Sequence, residues 1–408
     1  MDRRLIEVNQ DRLQRDMQRL SRIGMGERGI TRRSYTPEDV EARSFVAGLM
    51  QEASLDVRID AVGNLFGRRQ GAKPDLPVIM VGSHIDTVPQ GGMFDGALGV
   101  LGGIEAVRAM NEAGVCTEHP VEVVSFAEEE GAWGSGTLGS RVFVGDVRAE
   151  ELDRVVTGAN SLKQLMLESG LEPDDFENAA RPYPVAGYIE LHVEQGGVLE
   201  QERLQIGIVT GIVGITRGSI VVQGKANHAG TTPMHMRDDA LVKAAPLITY
   251  VYQEALRQES VVATIGRVGV SPGAVNVIPG KVELSLELRS MDDSKVELLL
   301  DRIRRKVELA EQAELRAGLA KGGVKMHALV MQAIENVCRG ADVLYKKMPS
   351  GAGHDAMCMA RICPTGMLFV PSKGGMSHSP DEFTHWADAA RGAMVLANAV
   401  IDLDSTIS

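Results

Sequence analysis

At roughly 150 residues per domain, a chain of 408 residues predicts two domains, three at most. Its 43 Lys and Arg against 55 Asp and Glu leave a net charge of −12, which argues against a nucleic-acid binder, since that role needs a basic surface to displace counterions from phosphates. Apolar residues at 44% and charged residues at 24% are those of a globular chain and exclude general disorder.

The opening Met1-Asp-Arg-Arg-Leu-Ile-Glu7 is too charged for a secretory segment, and no apolar run approaches the ~18 residues of a membrane span. A cytoplasmic protein is expected. Leu13, Met17, Leu20 and Ile23 recur at helical spacing. Thr36-Pro37-Glu38-Asp39 reads as an N-cap, a proline at the first helical position and acids in the first turn of a helix turning Phe45, Val46, Leu49 and Met50 inward. Val78–Val81, between Pro77 and Gly82, has the continuous apolar character of a strand covered on both faces. A helix over 97–111 and a second buried strand over 121–126 follow. This alternation predicts an α/β domain with a central mixed sheet.

The middle of the chain changes character. Strands are predicted over 217–223 and 261–270 and helices over 238–257 and 294–310. Val282, Leu284, Leu286 and Leu288 alternate with polar residues, as in a sheet with one wet face. This is most of a split βαβ unit, which places a smaller α+β domain at 213–325, inserted into a larger one formed by 1–212 and 326–408. The α/β pattern then resumes with a helix, a strand near Val343, a helix after Gly353, a strand at Met367–Val370 and a terminal helix. Cys116, Cys338, Cys358 and Cys363 form no C-x-x-C and read as reduced, mostly buried thiols.

The chemistry concentrates at strand ends. Gly82-Ser-His-Ile-Asp-Thr87 places His84 just past a buried strand, where open α/β sheets bind ligands. Asp86 is placed to accept the free imidazole N–H and fix the tautomer for metal binding; the alternative is a pair that merely caps the strand. Glu128-Glu129-Glu130 at the next strand end needs water or cations, and alone would read as an exposed acidic turn. His119, His235, His327 and His385 lie in charged or turn contexts and read as surface residues, whereas His84, His192, His228, His354 and His378 lie in loops rich in small residues. Histidines with Asp and Glu, and no Cys beside them, favour Zn²⁺ or Mn²⁺.

Eight motifs in order then carry a resemblance: Gly82-Ser-His-Ile-Asp-Thr, Phe94-Asp-Gly, Glu129-Glu-Gly, His192-Val-Glu-Gln-Gly, Asn227-His-Ala-Gly-Thr-Thr-Pro-Met, Ala274-Val-Asn-Val-Ile-Pro-Gly, Ser350-Gly-Ala-Gly-His-Asp-Ala and Ser377-His-Ser-Pro. Together, from about Gly29 to Phe383, they resemble the amidase branch of the M20 metallopeptidase family, which contains N-carbamoyl-L-amino acid hydrolases, allantoate amidohydrolases and β-ureidopropionases. The resemblance implies a dinuclear-metal catalytic domain at 1–212 and 326–408, and a ferredoxin-like lid and dimerisation domain at 213–325. It implies two divalent ions per subunit, Zn²⁺ or Mn²⁺ with Co²⁺ or Ni²⁺ as alternatives. His84, Asp95 and His192 would hold one ion and Asp95, Glu130 and His378 the other. Glu129 takes the place of the general base, with Asp86 behind His84. Gln195, Asn276 and Arg289 match substrate-contacting positions, Arg289 facing a carboxylate. His228 resembles a histidine that reaches the partner subunit's site in a homodimer. The implied activity is hydrolysis of the carbamoyl C–N bond of an N-carbamoyl-L-amino acid; allantoate is the alternative substrate, then an N-acyl amino acid or peptide.

Two departures stand out. Where many relatives carry an Arg-Phe pair after the glutamates, this chain has Ala132-Trp133-Gly134. The span from Glu311 to Met348 is also short, which predicts a truncated last strand in the inserted domain.

Overall fold

The computed structural model describes residues 5–407; residues 1–4 of the charged N-terminal segment and residue 408 lie outside it. Helix Gln10–Leu20 is capped by Asn9, whose side chain accepts from the Arg12 N–H at 3.0 Å, and it buries Leu13, Met17 and Leu20. It ends before Ile23. Helix Pro37–Glu52 starts at its proline, but Thr36 does not cap it: its hydroxyl donates to the Arg33 carbonyl at 2.8 Å. Val46, Leu49 and Met50 are buried as the spacing requires, while Phe45 is half-buried under the Arg19 guanidinium.

Contacts divide the chain into two units, one reaching Thr210 and resuming at Met326, the other Gly211–Lys325. In the larger unit the sheet runs, in spatial order, Asp56–Ile59, Leu65–Arg69, Val121–Phe126, Val78–His84, Val185–Val193, Thr365–Val370 and Ile206–Ile212. The four strands from Val121–Phe126 to Thr365–Val370 are parallel and the outer pairings antiparallel. Alternation sorts the two faces. Val121 and Val123 join the core with helices Ala97–Glu112 and Trp386–Ile407, while Phe126 meets Phe143 of helix Leu138–Phe143 on the other side. Being covered twice, the parallel strands are continuously apolar. Their carboxyl ends converge, and that is where ligands bind in such sheets.

Several expectations are corrected here. The strand begun at Val78 runs through to His84, so His84 is its last residue rather than the first of a loop. The strand expected near Val343 starts at Tyr345; Val343 instead closes the preceding helix, its N–H donating to the Cys338 carbonyl. His119 is buried, with Nδ1 2.7 Å from the Pro77 carbonyl and its own N–H donating to Asp404.

The smaller unit runs strand, helix, two short strands, strand, helix, strand. Its antiparallel sheet is ordered Val261–Thr264, Lys281–Ser290, Gly214–Gln223, Ala313–Lys321, with Val268–Ser271 also pairing Lys281–Ser290. Helices Ala240–Leu256 and Asp293–Glu308 bury Leu247, Val251, Leu299 and Ile303 against Val282, Leu284, Leu286 and Leu288. The single strand expected over 261–270 is broken where its pairing slips by one residue, from Thr264 opposite Glu287 to Val268 opposite Leu284, and there the Arg267 N–H meets the Ser285 hydroxyl. The last strand is not truncated. Ala313–Lys321 is nine residues long, a register shift between Ala317 and Ala320 absorbs the irregularity, and Gly322 and Gly323 suffice for the link that follows. All four cysteines are free, Cys116 exposed and the others buried. Among the described residues no helix is long and apolar enough to cross a membrane.

Candidate metal centre

Four parallel strands deliver the candidate ligands. His84 ends the first, Glu129 and Glu130 follow the second, His192 lies one residue from the end of the third, and His378 follows the fourth. Asp95 stands in the middle. Its Oδ1 lies 3.2 Å from His192 Nε2 and 3.8 Å from His84 Nε2; its Oδ2 lies 3.3 Å from His378 Nε2. Glu130 Oε2 is 3.5 Å from His378 Nε2, and Glu129 Oε2 is 3.5 Å from His84 Nε2. His84 and His192 are 2% and 1% exposed, whereas the His378 side chain is 51% exposed. The cup is therefore open at one side.

The hydrogen bonds fix which nitrogen is free. His84 Nδ1 lies 3.1 Å from the Asp86 carbonyl and His192 Nδ1 3.0 Å from the Val193 carbonyl. A carbonyl only accepts, so both Nδ1 atoms carry hydrogen, and each Nε2 is left toward the Asp95 carboxylate, the His192 Nε2 also lying 3.2 Å from the Gly96 N–H. An imidazole nitrogen beside a carboxylate calls for a cation between them, a proton or a metal ion. Among the described residues no Lys or Arg ion pair reaches Asp86, Asp95, Glu129 or Glu130; their only ion-pair partners are histidines. Four overlapping sets of donor atoms, including His84–Asp95–His192 and Asp95–Glu130–His378, each fall within 4.8 Å, as atoms sharing an ion must. A Cβ at Gly96, where φ is +62°, would lie 2.4 Å from the His84 ring, so the cup closes only around glycine. The donor set fits divalent cations of the nitrogen-and-oxygen class.

The electrostatics agree. Burial opposes ionisation of Asp95, yet His192 and His378 hold it well below the usual carboxylate range. Burial, reinforced by Asp95, pushes Glu130 up to about 7. Burial also drives Glu129 well above its ordinary value, against His84 and with Asp355 and Glu130. The Asp95 hydrogen bond raises His378 to about 9 against burial.

Asp86 meets the His84 imidazole, as expected of it, and has a second set of partners. Its main-chain carbonyl faces His84 Nδ1 most closely, with Oδ1 at 3.5 Å, and its carboxylate accepts the N–H groups of Glu129 at 3.3 Å and Glu130 at 3.1 Å. It therefore aligns both glutamates. Gln195 Nε2 donates to Asp95 Oδ2 at 2.9 Å, and its Oε1 is buried without a partner. His354 converges with Glu190 and His192 in another of the four sets, outside the Asp95 group: it is buried with its ring 4.5 Å from that of His192, and its Nε2 lies 2.9 Å from Ser350 Oγ. Glu128 faces away, accepting from the Trp133 N–H at 2.6 Å, and the Trp133 indole donates to the Ser34 carbonyl at 2.8 Å. The residue in the Arg-Phe position is thus anchored to a loop.

The other candidates lie in the smaller unit. His228 and Asn276 are neighbours, the Ala229 N–H donating to the Asn276 carbonyl at 2.9 Å, and both are exposed. Arg289, on the strand Lys281–Ser290, places Nε 2.8 Å from Glu287 Oε1. Sequence reasoning missed Glu382, Glu190 and Asp355. Glu382 accepts the N–H groups of Phe94 and Asp95; Glu190 accepts from Ser83 and the Ala356 N–H; Asp355 accepts from Ser140 at 2.6 Å. Each carried a signal in its proximity to a motif: Asp355 lies within the one that begins at Ser350, Glu190 two residues before His192, and Glu382 four residues beyond His378.

A model of Peptidase family M20/M25/M40 matches residues 80–402. The chain belongs to the M20 peptidase family. Within it, an N-carbamoyl-L-amino-acid amidohydrolase of Paenarthrobacter aurescens is 41% identical, over 98% of this chain and 99% of that protein. An allantoate amidohydrolase of Bacillus subtilis is 36% identical over 92% of each. The solved structure of an amidase of the hydantoinase/carbamoylase family from Burkholderia multivorans superposes with a TM-score of 0.91 at 33% identity, covering 98% of both chains. The M20 relatives thus match the chain through both of its units.

Proposed function

We propose that the protein is a metal-dependent amidohydrolase that cleaves N-carbamoyl-L-amino acids to the amino acid, CO₂ and ammonia. The observation that carries this reading is the array of imidazole lone pairs and carboxylates around Asp95, in a chain 41% identical to an enzyme of that name. His84, Asp95 and His192 would hold one divalent ion and Asp95, Glu130 and His378 a second, with Zn²⁺ or Mn²⁺ suiting the donors and Co²⁺ or Ni²⁺ as alternatives. When bound, such a pair supplies Lewis acidity to water and to the scissile carbonyl.

The rest of the chemistry falls to the chain. Glu129 takes the proton of the attacking water and delivers it to the amino-acid nitrogen as the carbamoyl C–N bond breaks. The carbamic acid released then decomposes to CO₂ and ammonia. Asp86 holds Glu129 and Glu130 in register through their N–H groups. Arg289 offers a planar fork for the substrate carboxylate, a fit that Lys would not reproduce, and Gln195 and Asn276 add polar contacts. The four unpaired thiols suit a reducing, cytoplasmic setting. The test is a panel of N-carbamoyl amino acids, allantoate and dipeptides assayed for ammonia or amine release with Mn²⁺ or Zn²⁺ present. Preference for an N-carbamoyl-L-amino acid is expected; preference for allantoate would select the alternative.

The same reading makes the enzyme a homodimer in which His228 of one subunit stabilises the oxyanion formed in the other, a contribution of about 3–4 kcal/mol for such donors. Its exposure in the smaller unit and its place in the Asn227-His-Ala-Gly-Thr-Thr-Pro motif support this. His228→Ala and Glu129→Gln are each expected to be nearly inactive. Heterodimers of the two should regain activity, because one of their two sites holds both wild-type residues. Confirmed heterodimers without activity would exclude the trans role.

A further inference from the structure

Two loops far apart in the sequence carry Asp95 and His378, and one side chain ties them. Glu382 is 5% exposed. Its Oε1 accepts the main-chain N–H groups of Phe94 at 2.8 Å and Asp95 at 2.9 Å. Its Oε2 lies 3.2 Å from Ser377 Oγ, which in turn lies 3.0 Å from Asp95 Oδ2. One carboxylate therefore grips the backbone of Asp95 and lies beside the hydroxyl of the residue preceding His378, whose single hydrogen is open to either carboxylate. The flanking residues repeat the tie in apolar form: the Phe94 ring meets that of Phe383 edge-on at 5.7 Å and that of Trp386 at 5.0 Å. The seat is made for this side chain. A Cβ at Gly92 would lie 2.4 Å from Glu382 Cβ and 2.5 Å from Oε1.

His378 needs such a tie more than the other histidines do. It sits in a loop at φ +53°, half-exposed, and among the described residues no carbonyl holds its ring as the Asp86 and Val193 carbonyls hold those of His84 and His192. We propose that Glu382 is a positioning residue that registers the Asp95 loop against the His378 loop and so sets the affinity of one ion, the one shared by Asp95, Glu130 and His378. This rests on the ligand set proposed above. Losing an outer partner of a metal ligand typically costs ~10–100-fold in affinity. The other ion, held by His84 and His192 on rigid strands, should feel the change less.

The test is metal retained per chain after metal-loaded protein is dialysed against graded free Zn²⁺, for wild type, Glu382→Ala, Glu382→Gln, Ser377→Ala and His378→Ala. Wild type should release two ions in two steps. Glu382→Ala should weaken one step by about 10–100-fold and leave the other near wild type. Glu382→Gln, whose amide oxygen still accepts both N–H groups, should recover most of that loss. Ser377→Ala, which keeps the backbone grip, should weaken the same step more mildly and answers the question should Glu382→Ala fail to fold. Equal weakening of both steps, or wild-type retention in Glu382→Ala and Ser377→Ala, would overturn the proposal. Wild-type retention of both ions by His378→Ala would instead overturn the ligand set, and the proposal with it.

Discussion

Glu129→Gln is expected to keep both metal ions and to lose about 10²–10⁴ in kcat, the usual worth of a positioned general acid–base. The two adjacent glutamates have different surroundings. Glu130 Oε2 faces His378 in the group that includes Asp95, whereas Glu129 Oε2 lies 3.5 Å from His84 Nε2 and groups with His84 and Glu130 but not with Asp95. Burial lifts the Glu129 carboxyl well above its ordinary value, which is the direction a proton carrier working near neutrality requires. Glutamine preserves shape and main-chain contacts, including the N–H donated to Asp86, and removes only the proton exchange. Steady-state rates and metal content on one preparation decide the matter. Loss of metal with the rate would mean that the two glutamates have exchanged roles.

Asp95→Asn should be more damaging still. Three imidazoles approach the Asp95 carboxylate, two on Oδ1 and one on Oδ2. An amide is neutral and turns N–H hydrogens toward whatever its nitrogen faces, so it cannot bridge two cations. The expected loss in metal affinity exceeds the ~10–100-fold of an outer-shell partner, and activity should fall to background. Glu382 would still accept the main-chain N–H groups of residues 94 and 95, so the fold should survive. Metal analysis beside a circular-dichroism spectrum checks both halves. Two retained ions would remove Asp95 from its bridging place.

How much of this was legible in the sequence depended on what each signal encodes. The parallel strands were readable because a strand buried on both faces must be continuously apolar, as Val121–Phe126 is apart from Glu122 and Ser125. Histidines and acids in glycine-rich turns just after such strands stood out because packing alone gives them no reason to be there. What stayed hidden was long-range partnership. Nothing near His119 announces that Asp404 will cover it, and nothing in Ser379-Pro-Asp-Glu-Phe383 says that the glutamate will turn inward to residues 94 and 95. Asp86 shows a finer limit. Its place two residues after His84 suggested the imidazole contact, but residue type does not say that the carbonyl makes the closer approach while the carboxylate serves Glu129 and Glu130. In the smaller unit, alternation identified Lys281–Ser290, whereas the break between Val261–Thr264 and Val268–Ser271 lies in a one-residue slip of their pairing with that strand, which residue type does not encode.

The most direct measurement is hydrolysis of an N-carbamoyl-L-amino acid by exhaustively chelated protein as Mn²⁺ or Zn²⁺ is added back. Folding is checked by circular dichroism, and bound metal is counted at each step. The expected result is a folded, inactive chain whose activity rises with bound metal and levels off at two ions per subunit. Full activity in the chelated protein would contradict the metal-centred account of this site.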